Sequence, residues 1–266
     1  MVKLKIFCVT NKQVPALENS NFILSGVGNN EFNEKYIKSN YKNNIFFKEQ
    51  YYSELTFHYW YWKNLLQEED SEWIGFCQRR RLWLQSRKDI EKIDGKNISS
   101  YILKEPVENW SRYESILCEP IKVSGVKKVK MIKRGWRNIL KNPKVLFDKK
   151  LETISFHFDM HHGYGNLGRA ISVMDEEDRT DFLNFVNTKN NFNPHIMFIA
   201  KKNLVKEWFD TLFPWLERCE RIFGFTNLKG YDTTRIYAYL AERYLSYWFQ
   251  KNTKYTYHPW KFMEKF

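Results

Sequence analysis

The chain has 266 residues, of which 43 % are hydrophobic and 28 % charged, so it can bury a sizeable core as one α/β domain or as two small ones. No stretch reaches the length of about 18 apolar residues that a membrane-spanning helix needs, which excludes such a helix on sequence grounds. The formal net charge of +12 predicts an anionic partner, namely a nucleic acid, a nucleotide or an anionic membrane surface.

The four cysteines are dispersed, with no Cys-x-x-Cys pair and no histidine at zinc spacing: Cys8, Cys77, Cys118 and Cys219. This pattern predicts small buried thiols in a reducing cytoplasm. Residues 1–11 contain a short apolar core and no cleavage site, which predicts a first strand rather than a signal peptide.

The chain is predicted to begin with two strands. Residues 3–10 alternate between polar and apolar side chains and end in the polar loop Thr10-Asn11-Lys12, and residues 22–27 form a second short strand. The glycines that follow do not form a Gly-x-Gly-x-x-Gly motif opening a helix, so a dinucleotide-binding fingerprint is not predicted.

Residues 51–81 are the most informative stretch. The first half lacks glycine and proline and is aromatic on almost every side, which predicts a buried helix in which Trp62 is a packing residue. The apolar run 73–77 then predicts a buried strand that ends in three arginines, residues 79–81. Because ligands of open α/β sheets bind at the carboxyl ends of the strands, these arginines predict phosphate or carboxylate recognition. The alternative is a solvated turn whose arginines pair with local glutamates.

Residues 122–150 form a basic amphipathic segment with eleven lysines and arginines and one acidic residue, a balance of +10. The cations are interleaved with apolar side chains such as Trp136, Leu140 and Phe147. A cationic segment of this kind predicts contact with a membrane surface or a lipid pyrophosphate. An ordinary helix with a solvated basic face is the first alternative, and a nucleic-acid site is the second.

A histidine-rich stretch follows and contains His157, Asp159, His161 and His162. Two histidines four residues apart lie on one face of a helix, but Gly163 ends that helix at once, so the metal-site signal is weak. Buried structural histidines are the alternative to functional ones.

The other predicted elements complete an alternation of strands and helices, which is typical of an α/β fold. They are strands over 98–103 and 115–123, the second at a sheet edge because of Pro120, a helix over 176–187, a strand within 193–202, and helices over 204–223 and 235–245. The aromatic tail, residues 255–266, is predicted either to pack on the domain or to act as an interfacial anchor.

Three motifs carry a resemblance to a known family: Glu54-Leu-Thr, Tyr59-Trp-Tyr-Trp-Lys-Asn64 and Gly75-Phe-Cys-Gln-Arg-Arg-Arg81. They resemble the DUF4422 family of predicted bacterial glycosyltransferases, which occurs in capsule and lipopolysaccharide gene clusters. Some members are similar to galactofuranosyltransferases. Gln78 stands where the family has histidine, and Arg79 and Leu82 stand where it has aromatic residues. Segments 193–202 and 235–245 are similar to later motifs of the family, so the resemblance covers nearly the whole chain.

The resemblance implies a single GT-A-like, Rossmann-like domain over residues 1–266, with a mixed, mostly parallel central sheet flanked by helices. It also implies a nucleotide-sugar donor, with a UDP-sugar favoured, and a glycan or lipid-linked glycan acceptor. The residues implied in donor binding are Thr10, Asn11, Lys12, Asn44, Tyr61, Lys63, Gln78, Arg80, Arg81, Asn193, Arg235 and Arg243.

Glycosyl transfer requires that the protein neutralise the leaving diphosphate, either with a carboxylate-held metal or with fixed cations. No Asp-x-Asp motif follows a predicted strand, and arginines 79–81 stand where one is expected. Metal-independent neutralisation by arginine is therefore preferred, and bound Mg²⁺ or Mn²⁺ is the alternative. An inverting transfer also needs a base near the acceptor hydroxyl. The candidate catalytic residues are Glu54, Asp159, His161, His162 and Glu242.

Two other functions compete with glycosyl transfer. One is a non-catalytic basic protein that binds anionic lipid or nucleic acid, although the sequence has no RRM, KH, zinc-finger or helix-turn-helix pattern. The other is a transferase of a different diphosphate-linked group, which the arginines would also suit. The expected location is the cytoplasm, with peripheral attachment to the inner face of the cytoplasmic membrane and no nucleic-acid partner.

Overall fold

A computed structural model describes residues 3–264 and residue 266. The chain folds into two compact units, each assembled from separate segments. The sheet unit contains the described residues of Met1–Glu119, His195–Asp210 and Phe249–Phe266, and the helical unit contains Pro120–Pro194 and Thr211–Trp248. The expectation of a single domain over residues 1–266 stays a prediction.

The strands of the described residues are, in chain order, β1 (Leu4–Thr10), β2 (Ile23–Gly26), β3 (Ile37–Lys38), β4 (Trp73–Gln78), β5 (Arg81–Trp83), β6 (Ser115–Leu117), β7 (Ile121–Lys122), β8 (Asn191–Phe192), β9 (Phe198–Lys201), β10 (Tyr255–Tyr257) and β11 (Trp260–Phe262). The α-helices are α1 (Glu49–Tyr52), α2 (Leu55–Asn64), α3 (Lys128–Lys141), α4 (Ile154–His162), α5 (Asn166–Ile171), α6 (Glu176–Thr188), α7 (Lys202–Phe223), α8 (Tyr231–Thr234) and α9 (Ile236–Asn252).

The sheet unit is built on one mixed sheet with the strand order β10-β6-β9-β4-β1-β2-β3, and a hairpin extension in which β5 pairs with β4 and β11. Strands β4, β1, β2 and β3 run parallel to one another. Strand β9 is antiparallel to both β4 and β6. This mixed sheet with parallel central strands and flanking helices confirms the predicted α/β fold class.

Close packing explains why the central strands are apolar on both faces. Gly75 of β4 leaves room for its neighbours, because a Cβ atom there would lie 2.8 Å from Ile199 Cγ1. Helix α2 covers one face with aromatic rings, and the ring centres of Phe7 and Tyr61 lie 4.7 Å apart. His58 packs on Phe76 at 4.3 Å. All four cysteines are buried thiols, as predicted.

Four predictions of local structure need correction. The expected single helix is divided into α1 and α2, because Ser53 has a φ of +53° that a right-handed helix cannot contain. Trp62 is half-buried, whereas Trp60 is 1 % exposed and does the packing. Residues 98–103 form no strand but begin with the 3₁₀ turn Ile98–Ser100. The segment 115–123 is divided into β6 and β7, and β6 lies between two other strands rather than at an edge.

The carboxyl-terminal tail packs on the sheet, which decides between its two predicted roles. Strand β10 pairs with β6, and β11 pairs with β5 in the register Phe262 to Arg81. The tail therefore lies directly beside the arginine-bearing hairpin.

The helical unit is held together by polar anchors within an aromatic core. Trp215 Nε1 donates to the carbonyl oxygen of Ala170 at 2.8 Å. Asp178, on α6, accepts hydrogen bonds from the hydroxyls of Tyr244 and Tyr247 on α9. Among the described residues, no helix combines the length and the apolar character needed to cross a bilayer.

Candidate active site

The arginines predicted to bind an anion lie at the carboxyl end of β4, in and beside a hairpin turn. Strands β1 and β4 are parallel and in register, with Val9 beside Gln78, so their carboxyl ends lie at one edge. Arg79 and Arg80 occupy the turn between β4 and β5, because Gln78 pairs with Arg81 across the hairpin. The backbone N–H of Arg79 donates to Val9 O at 3.0 Å, which ties the turn to β1.

A continuous chain of polar contacts crosses this edge. Gln78 Nε2 donates to Glu54 Oε1, and Gln78 Oε1 accepts from Arg81 Nη1 at 3.0 Å. Arg81 Nε donates to His195 Nε2 at 3.0 Å, so Nε2 is the hydrogen-bond acceptor of that ring. The amide of Gln78 is thus oriented by a carboxylate at one end and a guanidinium at the other. We call Glu54, Gln78, Arg80, Arg81 and His195 the edge cluster.

The tail fixes both arginines of the cluster. Arg80 Nε donates to the carbonyl oxygen of Met263 at 2.9 Å. The guanidinium carbons of Arg80 and Arg81 lie 4.6 Å and 5.3 Å from the ring centre of Phe262. Both side chains are half-buried. Stacked and partly desolvated guanidiniums are well suited to bind phosphate oxygens in a fixed geometry.

The loop after β1 reaches the same edge of the sheet. Thr10 is buried, and its hydroxyl accepts from the backbone N–H of Lys12 at 3.1 Å. Asn11 is held by its carbonyl oxygen, which accepts from Asn30 Nδ2 at 2.6 Å. The side chain of Asn44 instead organises a local turn, since its Oδ1 accepts from Phe46 N at 3.1 Å.

Tyr61 and Lys63, which were also predicted to bind the donor, lie away from the edge cluster. Tyr61 is fully buried, and its hydroxyl donates to Glu69 Oε2 at 3.3 Å. Lys63 lines a cavity of about 950 Å³ together with Glu72 and Lys201, beside the amino end of β4 and so opposite the edge that carries the arginines. Burial lowers the pKa of Lys63.

The helical unit gathers the predicted histidines on α4. The His162 ring stacks on Tyr239 at 3.8 Å between ring centres, and its Nδ1 lies 2.8 Å from the carbonyl oxygen of Asp232. His161 Nδ1 lies 3.4 Å from Arg134 Nη1, and Arg134 forms a 3.3 Å ion pair with Asp232. His161 also lines a cavity of about 480 Å³. This cavity is also lined by Arg134, Trp136, Arg137, Tyr164 and Tyr231.

Burial keeps these histidines neutral. Desolvation is the main cause that lowers the pKa of His157 to about 2, of His162 to about 3 and of His161 to about 4. Imidazoles with such low pKa values are weak proton acceptors at neutral pH. The lowered pKa values of His161 and His162 therefore support a base role less well than a packing role.

Asp159 organises the end of α4. Its carboxylate accepts from Asn138 Nδ2 and from the backbone N–H of Gly165, both at 3.0 Å. Burial raises its pKa, and these two hydrogen bonds oppose that shift. Asp159 thus holds α3 and the loop after α4 together.

The remaining predicted residues of the helical unit lie on or beside α9. Arg243 is 2 % exposed, pairs with Glu242, and has its guanidinium carbon 3.9 Å from the ring centre of Phe192. Arg243 Nε has no hydrogen-bond partner among the described residues. Asn193 is buried, and its backbone N–H donates to Ser246 Oγ at 2.6 Å.

Arg235, at the start of α9, lies over the ring of Tyr231 at 5.1 Å. The roles predicted for Arg235, Asn193, Glu242 and Arg243 stay predictions.

Sequence reasoning missed His195, which belongs to the edge cluster, and Phe262, which packs against the arginines of that cluster. His195 has a φ of +66°, a left-handed conformation that is unusual for a residue other than glycine. The signal was present, because Pro194 and His195 interrupt the family's strand motif after Asn193. Phe262 lies far away in sequence, and its contact with the arginines depends on the pairing of β11 with β5.

The fold of the chain is shared with a solved structure. It matches a structure described as a WbbM bifunctional glycosyltransferase in its apo form, with a TM-score of 0.71 and 18 % sequence identity. The match covers 99 % of this chain and 46 % of that one, so the chain spans about half the length of the structure that it resembles. At this identity the likeness establishes the fold.

The family follows from the sequence itself. Residues 5–253 match the model of DUF4422, described as a domain of unknown function, and the chain belongs to that family. Among curated proteins, no significant match is found. No group of three or more His, Cys, Asp or Glu side chains placed to hold a metal ion is present among the described residues.

Proposed function

We propose that this protein is a glycosyltransferase that moves a sugar from a nucleoside-diphosphate sugar to a growing surface glycan. The observation that carries the proposal is the edge cluster, in which two oriented arginines stand at the carboxyl ends of the parallel strands. Fold similarity to a glycosyltransferase supports the reaction class. A UDP-sugar is the preferred donor, and galactofuranose is the sugar that the family resemblance favours.

Arg80 and Arg81 carry the electrostatic part of the mechanism. Charge accumulates on the diphosphate as the glycosidic bond breaks, and preorganised cations stabilise it without reorganisation. Arg81 is held by Gln78 and His195, and Arg80 by the carbonyl oxygen of Met263, so their side chains are oriented before the donor binds. The edge cluster contains a single carboxylate, Glu54. Its donor set therefore fits fixed-cation neutralisation of the diphosphate better than a carboxylate-held divalent metal.

Glu54 is the preferred base of an inverting transfer. It is half-buried at the amino end of α2 and contacts the Gln78 amide, which joins it to the arginines through one residue. A carboxylate in this position can accept the proton of an acceptor hydroxyl while the arginines stabilise the leaving diphosphate. The GT-A classification and the inverting outcome belong to this proposal.

The acceptor is proposed to be a capsule, O-antigen or lipooligosaccharide glycan, free or linked to lipid. Nucleotide sugars are cytoplasmic metabolites, so the reaction is placed in the cytoplasm, at the inner face of the cytoplasmic membrane for a lipid-linked acceptor. A thermal-shift screen of nucleotide sugars would identify the donor, because a ligand that binds only the folded state raises its melting temperature.

Calorimetric titration with UDP tests the assignment of the arginines. Each of Arg80→Ala and Arg81→Ala should weaken binding about tenfold to a hundredfold, since each removes charge-assisted hydrogen bonds. Arg79→Ala should have a smaller effect, because the backbone of Arg79 makes its contact with β1. Arg112→Ala, on an exposed turn of the same unit, is the matched control and should leave UDP affinity unchanged. Unchanged affinity in both Arg80→Ala and Arg81→Ala would overturn the assignment.

A further inference from the structure

Helix α3 has three distinct faces. Met131 and Gly135 are buried against α4, and a Cβ atom on Gly135 would lie 3.0 Å from Met160 Cγ. Along the helix the remaining positions divide into an apolar row and a cationic flank. At about 100° per residue, the two lie next to one another around the helix axis.

The apolar row is exposed to solvent. Its members are Val129, Ile132, Trp136 and Leu140, with 78 %, 56 %, 51 % and 73 % exposure. Spacings of three and four residues place them within about 80° of the helix circumference. A continuous row of large apolar side chains on a solvent-exposed surface marks a site of interaction.

Phe147 extends this surface. It is 82 % exposed, and it lies beside the amino end of α3, since Lys128 Nζ is 5.0 Å from its ring centre. The preceding turn is anchored through the buried side chain of Val145, so Phe147 is presented by an ordered segment. We call the apolar row and Phe147 the α3 face.

The charge beside the row has one sign. The sequence of α3, KVKMIKRGWRNILK, holds six lysines and arginines and no acidic residue. Most of these cations lie on the flank of the row that faces away from Met131 and Gly135, as the helical spacing requires. An exposed apolar row bordered by cations has the pattern of a helix that lies in the interface of an anionic bilayer.

We propose that the α3 face is a membrane-binding surface that lies on an anionic bilayer. Val129, Leu140 and Phe147 enter the headgroup region, and the adjacent lysines neutralise lipid phosphates. Charge complementarity selects this occupant: an acidic protein would pair with the cations, but it would not require five exposed apolar side chains beside them. A nucleic acid likewise leaves the apolar row without a role.

The position of the face also bears on the acceptor. Trp136 and Arg137 belong to α3 and line the cavity of about 480 Å³ that contains His161. A bilayer bound at the α3 face would therefore bring lipid headgroups next to a cavity with aromatic and cationic walls. This consequence rests on the proposed function, whereas vesicle binding does not, since it needs neither donor nor acceptor.

Co-sedimentation of the full chain with vesicles of phosphatidylcholine, with and without phosphatidylglycerol, tests the proposal. We expect binding to the anionic vesicles that high salt weakens but does not abolish. Replacing Lys128, Lys130 and Lys133 with Gln should lower the partition coefficient about a hundredfold at low salt. Val129→Asn with Leu140→Asn should lower it about tenfold or more at both low and high salt.

The matched control is Leu183→Asn, because Leu183 is also an exposed leucine of a helix in the same unit, at 42 %. It should leave vesicle binding unchanged. Circular dichroism and melting temperature check that every variant is folded. Equal binding to neutral and anionic vesicles would overturn the proposal, and so would an equal loss of binding in the Leu183 control. A third result would also overturn it: the protein does not bind vesicles, and instead the variants of the apolar row dissociate a dimer or the lysine variants release an oligonucleotide.

Discussion

The edge cluster of the sheet unit and a second cluster in the helical unit differ in how far their titratable groups are buried. We call the second one the α4 cluster, and its members are His157, His161, His162 and Arg243. Arg80 and Arg81 remain half-buried, and hydrogen bonds to Met263 and Gln78 orient them at the carboxyl end of β4. The α4 cluster instead buries its polar groups, so burial lowers the pKa of each histidine and of Arg243. Groups of the first kind are available to a ligand, and those of the second kind mainly affect stability.

The largest effect is expected at Arg243. Arg243→Met removes one partner of a buried ion pair and leaves Glu242 without it, so the free energy of unfolding should fall by about 3–5 kcal/mol. Urea denaturation measures this change. Arg221→Met is the control, because Arg221 forms an exposed pair on α7 that should contribute less than about 0.5 kcal/mol. Unchanged stability with lost donor binding would show that Arg243 contacts a ligand, and the contrast between the clusters would fail.

Glu54→Gln should have the opposite signature. We expect activity to fall about a hundredfold or more, because the amide cannot accept the acceptor proton. The melting temperature should stay nearly constant, since the Gln side chain can still accept the hydrogen bond from Gln78. Product formation and thermal unfolding are measured on the same samples. Glu68→Gln, on an exposed turn, serves as the control. Full activity in Glu54→Gln would move the base to the region of His161 and His162.

Substitutions of His195 test the effect of backbone strain on stability separately from the effect of the side chain on UDP binding. His195→Gly should relieve a left-handed backbone conformation and keep or raise the melting temperature. It should also weaken UDP binding about threefold to tenfold, because Arg81 loses the acceptor of its Nε–H. His195→Asn, which tolerates the same backbone and keeps a polar side chain, should fall between wild type and glycine. If UDP affinity is the same in all three proteins, His195 does not position Arg81.

The last prediction concerns the dependence of stability on pH. The unfolded histidines titrate near pH 6.5, whereas the folded values are about 2, 4 and 3 for His157, His161 and His162. Between these limits the unfolded state binds more protons, so the stability present above pH 6.5 is lost as the pH falls. Melting temperatures measured from pH 7.5 to pH 5 should therefore decline, and His161→Gln should reduce the slope. A variant slope equal to that of wild type would mean that the pKa of His161 is the same in the folded and unfolded states.

Local patterns predicted the framework of the fold well. Alternation located β1, and a short apolar run located β4. The helices predicted over 176–187 and 204–223 agree with α6 and α7 within two residues, whereas α9 continues to Asn252, beyond the predicted end at residue 245. Errors occurred where tertiary context overrides propensity. Ser53 interrupts a run that has no glycine or proline to announce a break, and residues 98–103 are apolar because they fill the core rather than because they extend a sheet.

The position of the candidate site could be predicted in part from local order, whereas its function stays a prediction. Arginines after a buried strand predict an anion site, because the carboxyl ends of parallel strands share an edge, and the structure places Arg80 and Arg81 there. The motif that contains Tyr61 and Lys63 is equally recognisable, yet a helix carries its residues away from that edge. Motif membership therefore does not tell which end of the sheet a side chain reaches.

The sequence by itself determined the family, the α/β class, the arginine-bearing strand and the cationic character of α3, since each is written in local order and composition. Tertiary structure decided which residues orient Arg81, because Gln78 and Glu54 lie 24 positions apart and His195 lies 114 positions from Arg81. It also decided that the apolar row of α3 faces solvent, since only the packing of Met131 and Gly135 on α4 determines which side of the helix is covered. Long-range pairing and the choice of a buried face depend on the whole chain, and no local pattern contains them.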